Sequence, residues 1–162
     1  FIINTFQTSA DQAQAAEIMR SCPDAVAFVQ SLYESGTLPV SQYMGSAPID
    51  EGDWTEDVVF SKFDISVEPQ NQERYADAYA KMMKKISRDV EMRSYGVGAV
   101  GFGRDRFTHW VWTGARSIPE LNEITQRLTR HPVFMEFNQD VGRMRDVVNT
   151  SQNVIIKSYP RQ

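Results

Sequence analysis

Tyr95-Gly96-Val97-Gly98-Ala99-Val100-Gly101-Phe102-Gly103-Arg104-Asp105-Arg106-Phe107-Thr108-His109-Trp110-Val111-Trp112-Thr113 is the stretch on which the fold turns. Residues 95–102 and 107–113 read as strands, and Gly103-Arg104-Asp105-Arg106 between them reads as a tight turn, so the stretch predicts a β-hairpin. Upstream, Tyr75, Ala78, Tyr79, Met82, Met83, Ile86 and Val90 recur at helical spacing, with Lys81, Lys84, Lys85 and Arg88 mostly off that stripe. This pattern predicts a helix over 68–92. Before it, 58–67 alternates: Val59, Phe63, Ile65 and Val67 share one parity with Ser61, and Val58, Phe60, Lys62, Asp64 and Ser66 take the other. Downstream, Ser117 and Glu120 form a capping-box pattern around Pro119. A helix follows through Leu121, Ile124 and Leu128; His131-Pro132 breaks it, and Val133, Phe134, Phe137 and Val141 continue its apolar face. The last strand is expected at 153–159. Residues 57–159 therefore read strand–helix–strand–strand–helix–strand, the split βαβ order.

The first third of the chain reads as a further βαβ piece. Residues 1–7 are expected to form a strand. Ser9 and Asp11 offer caps for a first helix, and Ser21 or Cys22 caps a second with Pro23 at its first position. Val26, Val29, Leu32 and Tyr33 make the second helix's stripe, and Gly36 stops it. Residues 38–44 read as a strand, and 45–56, rich in Gly, Pro and Asp and holding Trp54, as the longest loop. The expected organisation is α+β: one domain over 1–162, with a βαβ extension at 1–56 and a βαββαβ unit at 57–162. Its sheet is mainly antiparallel with helices on one face. Which two of the three βαβ pieces share the main sheet stays open.

Composition narrows the function. At 162 residues and 41% apolar content the chain can bury a core without staples. One cysteine, Cys22, excludes an intramolecular disulfide and a cysteine-built zinc site. The two histidines, His109 and His131, leave little for a histidine-rich metal centre, and none is expected. A net charge of −4 argues against nucleic acid as a partner. No apolar run approaches the ~18 residues of a membrane span. The chain begins at Phe1, so either a leader has been removed or the chain is trimmed; a soluble protein of the cytoplasm, the periplasm or the exterior fits equally.

Helices on one face leave the sheet's other face to be covered. Phe107, His109, Val111 and Thr113 share one parity, and Thr108, Trp110 and Trp112 the other, so neither side is simply polar. Such a face is not left in water. Homodimerisation through the sheet is expected, with a cavity between sheets.

The strand Val58-Val59-Phe60-Ser61-Lys62-Phe63, the hairpin into Phe107-Thr108-His109-Trp110-Val111-Trp112, and His131-Pro132-Val133-Phe134-Met135-Glu136-Phe137 before a final strand carry a resemblance. Over about 57–159 the chain resembles the dimeric α/β-barrel superfamily of ferredoxin-like proteins, which includes the antibiotic-biosynthesis-monooxygenase and stress-responsive-barrel types. Residues 1–56 depart from it, because the family unit is shorter. The resemblance implies a fold. Its members range from cofactor-free oxygenases through haem-using enzymes to proteins with no known reaction.

Several motifs have a functional and a structural reading. Gly96-Val97-Gly98-Ala99-Val100-Gly101 matches a dinucleotide fingerprint in letters, but a helix precedes it and no crossover helix opens within it. The structural reading is a strand whose glycines admit a close neighbour. His109 is a candidate acid–base or haem ligand, or a buried, hydrogen-bonded imidazole. Lys62 and Asp64 share a parity and either join His109 in a polar cluster or form an ion pair. Trp110, Trp112, Phe107 and Trp54 either line a pocket for an aromatic ligand or pack in core and interface. His131 is expected to serve orphan carbonyls at a helix end. Two functions follow. One is a dimerising α/β-barrel module that binds a small apolar or aromatic ligand through Lys62, Asp64, Trp110, Trp112, Phe107 and Trp54, with no cofactor. The other is a monooxygenase-like enzyme with His109 as base, cofactor-free or using haem on a histidine.

Overall fold

The computed structural model describes residues 3–37, 42–103 and 106–156. The chain divides into two compact units, Phe1–Val40 and Ser41–Gln162.

The first unit holds two helices, α1 (Ser9–Ser21) and α2 (Pro23–Glu34). Thr8, one residue ahead of the expected cap, closes a reciprocal capping box with Asp11. Cys22 ends α1 and caps α2, with Pro23 in its first turn. Residues 3–7 are not a strand, which corrects the expectation for 1–7; they lead into the Thr8 cap of the first helix. Phe1, Ile2 and the expected strand's residues 38–41 lie outside the described residues. Neither helix has a buried residue, and Val26, Val29 and Tyr33 of the expected apolar stripe are exposed.

The second unit is a five-stranded sheet with helices on one face, the expected α+β architecture. It runs β1 (Tyr43–Gly52), β2 (Val59–Val67), α3 (Gln72–Ile86), β3 (Ser94–Gly103), β4 (His109–Ala115), α4 (Ile118–Arg130), α5 (Pro132–Val141) and β5 (Arg145–Val154). The spatial order is β1-β3-β4-β2-β5, and every neighbouring pair is antiparallel. Strands β3-β4-β2-β5 reproduce the split βαβ order, so the 57–159 run builds the main sheet. The extra strand β1 extends the same sheet beyond β3. It is not part of a separate βαβ extension, which corrects the division at residue 56.

Three boundaries differ from expectation for physical reasons. β1 occupies most of the expected 45–56 loop. It is an edge strand, where Pro48 falls in a register shift between Ser46 and Ile49 and its missing N–H costs no ladder bond. Gly45 is required there, because a Cβ would come within 2.0 Å of the Ala99 carbonyl oxygen. The helix expected over 68–92 is shorter: a 3-10 turn at Pro69–Asn71 precedes α3, and Val90 is buried from the turn after it. β5 lies earlier than 153–159, because the polar run Asn149-Thr150-Ser151-Gln152-Asn153 hides a strand that, among the described residues, is the last of the sheet on its side. Residues 157–162 lie outside the described residues, as do Arg104 and Asp105 of the hairpin turn.

The register assigns the two sheet faces. Val59, Phe63, Ile65, Val67, Val97, Val111 and Ala115 turn toward the helices, where most of them join a core with Tyr75, Tyr79, Met82, Met83, Ile86, Leu121, Ile124 and Phe137. The opposite face carries Phe60, Lys62 and Asp64 of β2, Trp110 and Trp112 of β4, and Ser94, Gly96 and Gly98 of β3. Of the capping box expected at Ser117, half forms. Ser117 accepts the Glu120 amide, while the Glu120 carboxylate takes the Arg116 N–H.

Candidate functional site

The open face brings together five of the residues singled out from sequence. Lys62 and Asp64, two apart on β2, form a buried ion pair, Lys62 9% and Asp64 6% exposed. The Lys62 ammonium lies 5.1 Å from the Tyr43 ring centroid and 5.0 Å from that of Phe107, and the negative ring faces favour it there. Tyr43 also packs edge-on against Phe107 and at 5.4 Å from Trp110. Asn149 of β5 donates to the second Asp64 oxygen at 3.4 Å. Phe107 precedes β4 and packs on this side, which corrects its expected parity with His109. Thr108, also ahead of β4, accepts the Val67 N–H on its hydroxyl at 2.9 Å.

The glycine pattern serves the tryptophans. A Cβ on Gly98 would come within 1.9 Å of the Trp110 indole, and one on Gly96 within 2.2 Å of Trp112. Both indoles thus lie across β3 on the open face, in space that a side chain would fill. The glycines admit these rings, and no helix opens here to hold a pyrophosphate. Trp54 lies in the turn between β1 and β2, where its carbonyl accepts the Asp57 N–H.

His109 stands apart from this group. It pairs with Ile65 and Ala99, so it turns to the helix-covered face, opposite Trp110 and Trp112. It is 6% exposed, its Nδ1 lies 2.9 Å from the Thr108 hydroxyl, and burial lowers its pKa below the ordinary 6.5. The imidazole is therefore neutral at neutral pH. His131, expected to serve carbonyls, caps an amide: its Nδ1 accepts the Val133 N–H at 3.2 Å, and Nε2 lies 3.2 Å from Asp89.

The helix-covered face holds a feature that single-residue motifs did not reveal. Between the sheet and α3, α4 and α5 lies a cleft of about 150 Å³, lined among others by Phe63, Tyr79, Met82, Val111, Leu128 and Phe134. Phe63 sits mid-strand on β2, faces the helices, and is still 38% exposed. A central, inward-facing phenylalanine that is not covered marks a gap between the layers. Ser61 and Thr113, directly opposite each other, stand on its wall. Thr125 and Thr129 of α4 also line it, but their hydroxyls are spent on the carbonyls of Leu121 and Thr125, at 2.7 and 2.8 Å. Arg145, at the start of β5, closes one side. The alternation of 58–67 marked Phe63 as inward; only the packing of α4 and α5 shows that it is left uncovered.

A haem does not fit these residues. His109 is buried and does not line the cleft, both His131 nitrogens are engaged, and a cleft of about 150 Å³ has room for about one ring, not for a macrocycle of four. Among the described residues, no three His, Cys, Asp or Glu side chains gather to hold a metal ion, and no helix is long and apolar enough to cross a membrane.

No protein-family model and no curated protein matches this sequence. Solved structures do match in shape. A candidate monooxygenase from Fusobacterium nucleatum superposes with a TM-score of 0.57 at 11% identity, over 88% of this chain and 63% of its own. A second candidate monooxygenase, from Lactobacillus acidophilus, gives 0.54 at 15% identity, over 91% and 64%. An anthrone oxidase-like protein gives 0.58 at 12% identity, over 91% and 70%. The chain has the ferredoxin-like fold. At these identities the likeness is one of fold, and the chain spans less than two thirds of the length of the two candidate monooxygenases.

Proposed function

We propose that this ferredoxin-like chain binds a small aromatic or apolar molecule in the cleft between its sheet and helices α3, α4 and α5. The observation that carries this reading is the uncovered Phe63 ring, facing a dominantly apolar wall. Burying exposed apolar surface there supplies roughly 25 cal/mol per Å². Met82 and Met83 on α3 let the wall adapt to the occupant, since thioether side chains change rotamer readily. The test is a calorimetric titration with benzamide, a neutral single-ring probe, against the wild type and Thr129→Trp. Thr129 lies on the cleft's exposed side, so the larger ring blocks the opening while the core stays as it is. Saturable binding weakened about tenfold or more in the variant supports the reading. No binding, or equal binding in both proteins, sinks it.

The second reading makes the bound molecule a substrate. It is favoured by the match in fold to two candidate monooxygenases and an anthrone oxidase-like protein. Oxygen consumption with anthrone, measured against the spontaneous rate, tests it directly. Consumption that Thr129→Trp abolishes supports an oxygenase; none above the spontaneous rate leaves a binding protein.

The open face is the surface through which we propose that two copies meet. Phe60, Trp110 and Trp112 are only half-buried there, around an ion pair whose two charges already satisfy each other, so a second copy covers rings without stranding a charge. Sedimentation equilibrium gives the check. A dimer that Trp112→Glu dissociates supports the contact, and a monomer at high micromolar concentration contradicts it.

A further inference from the structure

Arg145 is the one cation among the residues that line the cleft. Its Nη1 donates to the Tyr75 hydroxyl and its Nη2 to the Asn138 side-chain oxygen, both at 2.7 Å. Its guanidinium carbon lies 5.6 Å from the Tyr75 ring centroid and 5.2 Å from that of Phe137. Every one of these partners is neutral. Among the described residues, no carboxylate lies within ion-pair distance of Arg145, although other partly or fully buried cations of the unit have one: Lys62 has Asp64, and Arg93 has Asp57. Tyr75 supplies no countercharge, because burial raises its pKa and keeps the hydroxyl protonated.

A guanidinium carries five N–H donors in a planar fork. Two are used here, so three remain for a ligand. Elsewhere on the wall Thr125 and Thr129 have turned their hydroxyls back onto their own helix, and the rest of the lining is largely apolar. The cleft thus presents an apolar volume of about one ring with an uncompensated positive charge at one side.

Resting on the cleft reading above, we infer that the ligand is a small aromatic anion, its ring against Phe63 and Val111 and its ionised oxygen on Arg145. The orienting contact pairs two opposite charges in a directional hydrogen bond, and a neutral isostere, whose carbonyl still accepts from the guanidinium, lacks that charge pairing. Tyr75 and Asn138 fix the Arg145 guanidinium from α3 and α5 at once, at the edge of the cleft that it lines.

The experiment is an NMR titration with benzoate and with benzamide, its near-isosteric neutral counterpart, on wild type, Arg145→Gln and Arg145→Lys. The expected result is that wild type binds benzoate about tenfold or more tightly than benzamide, the factor carried by one charge-assisted hydrogen bond. Arg145→Gln then binds the two alike, and an amide spectrum as dispersed as that of wild type shows that it is folded. Arg145→Lys retains part of the preference. Benzamide binding also reports that each variant is folded. Equal affinity of the two probes in wild type, or a preference that survives in Arg145→Gln, overturns the anion inference and leaves the cleft reading intact. Absence of any probe-dependent shift at Phe63, Thr113 and Thr129 overturns both.

Discussion

At the residue scale, Gly96 and Gly98 show how a sequence motif can be read correctly and still not understood. That they are strand glycines follows from the helix before them and the turn after them. What they make room for does not, because it depends on the pairing Gly96↔Trp112 and Gly98↔Trp110. A one-residue slip would send every side chain to the other face. The same register separates His109 from the tryptophans, a division that alternation along 107–113 already stated for Trp110 and Trp112 but not for Phe107. Gly98→Ala should destabilise by about 1–3 kcal/mol through overpacking against Trp110, read as a lower urea midpoint with red-shifted tryptophan emission. An unchanged midpoint would mean that the indole moves freely. Lys62→Met should cost about 3–5 kcal/mol, since it leaves the Asp64 carboxylate buried without its cation, and Lys62→Met/Asp64→Leu should recover much of that loss. His109 sets a pH dependence. Its folded-state pKa is below the unfolded value near 6.5, so the unfolded chain binds the proton more readily. Its contribution to stability is complete above pH 6.5 and falls as the pH drops from there toward the lowered folded-state value. His109→Gln should flatten that part of the profile in urea midpoints taken from pH 7.5 to 5.

At the element scale, the helices were the most legible parts, because an apolar stripe at helical spacing survives ignorance of what it packs against. α4 and α5, with the break at His131-Pro132, lie where periodicity placed them. The edge strands were the least legible. β1 is interrupted by Gly45 and Pro48, both tolerable only at an edge or a bulge, and β5 is a polar strand at the sheet's other end, where among the described residues no further strand pairs with it. Binary pattern fails where only half the element is buried. The break between α4 and α5 holds through His131, which caps α5 and reaches Asp89 in the turn after α3. His131→Ala should therefore cost about 1 kcal/mol, comparable to Ser117→Ala at the α4 cap, with both measured by chemical denaturation. A loss well below that would mean that Pro132 alone fixes the start of α5.

At the scale of the whole molecule, every buried residue among those described lies at Asp57 or beyond, and α1 and α2 bury none. A chain starting at Ser41 should fold by itself, giving a dispersed amide spectrum; a collapsed spectrum would contradict this. The architecture was readable because a hairpin between two helices admits few topologies. The site was less so, because a cleft belongs to the gap between layers and not to any one element. The most direct measurement of the account is the set of intermolecular nuclear Overhauser contacts from the ring protons of bound benzamide. The account predicts contacts to Phe63, Val111, Met82 and Leu128, on the helix-covered face. Contacts confined to the Trp110 and Trp112 indoles, on the other side of the sheet, would contradict it.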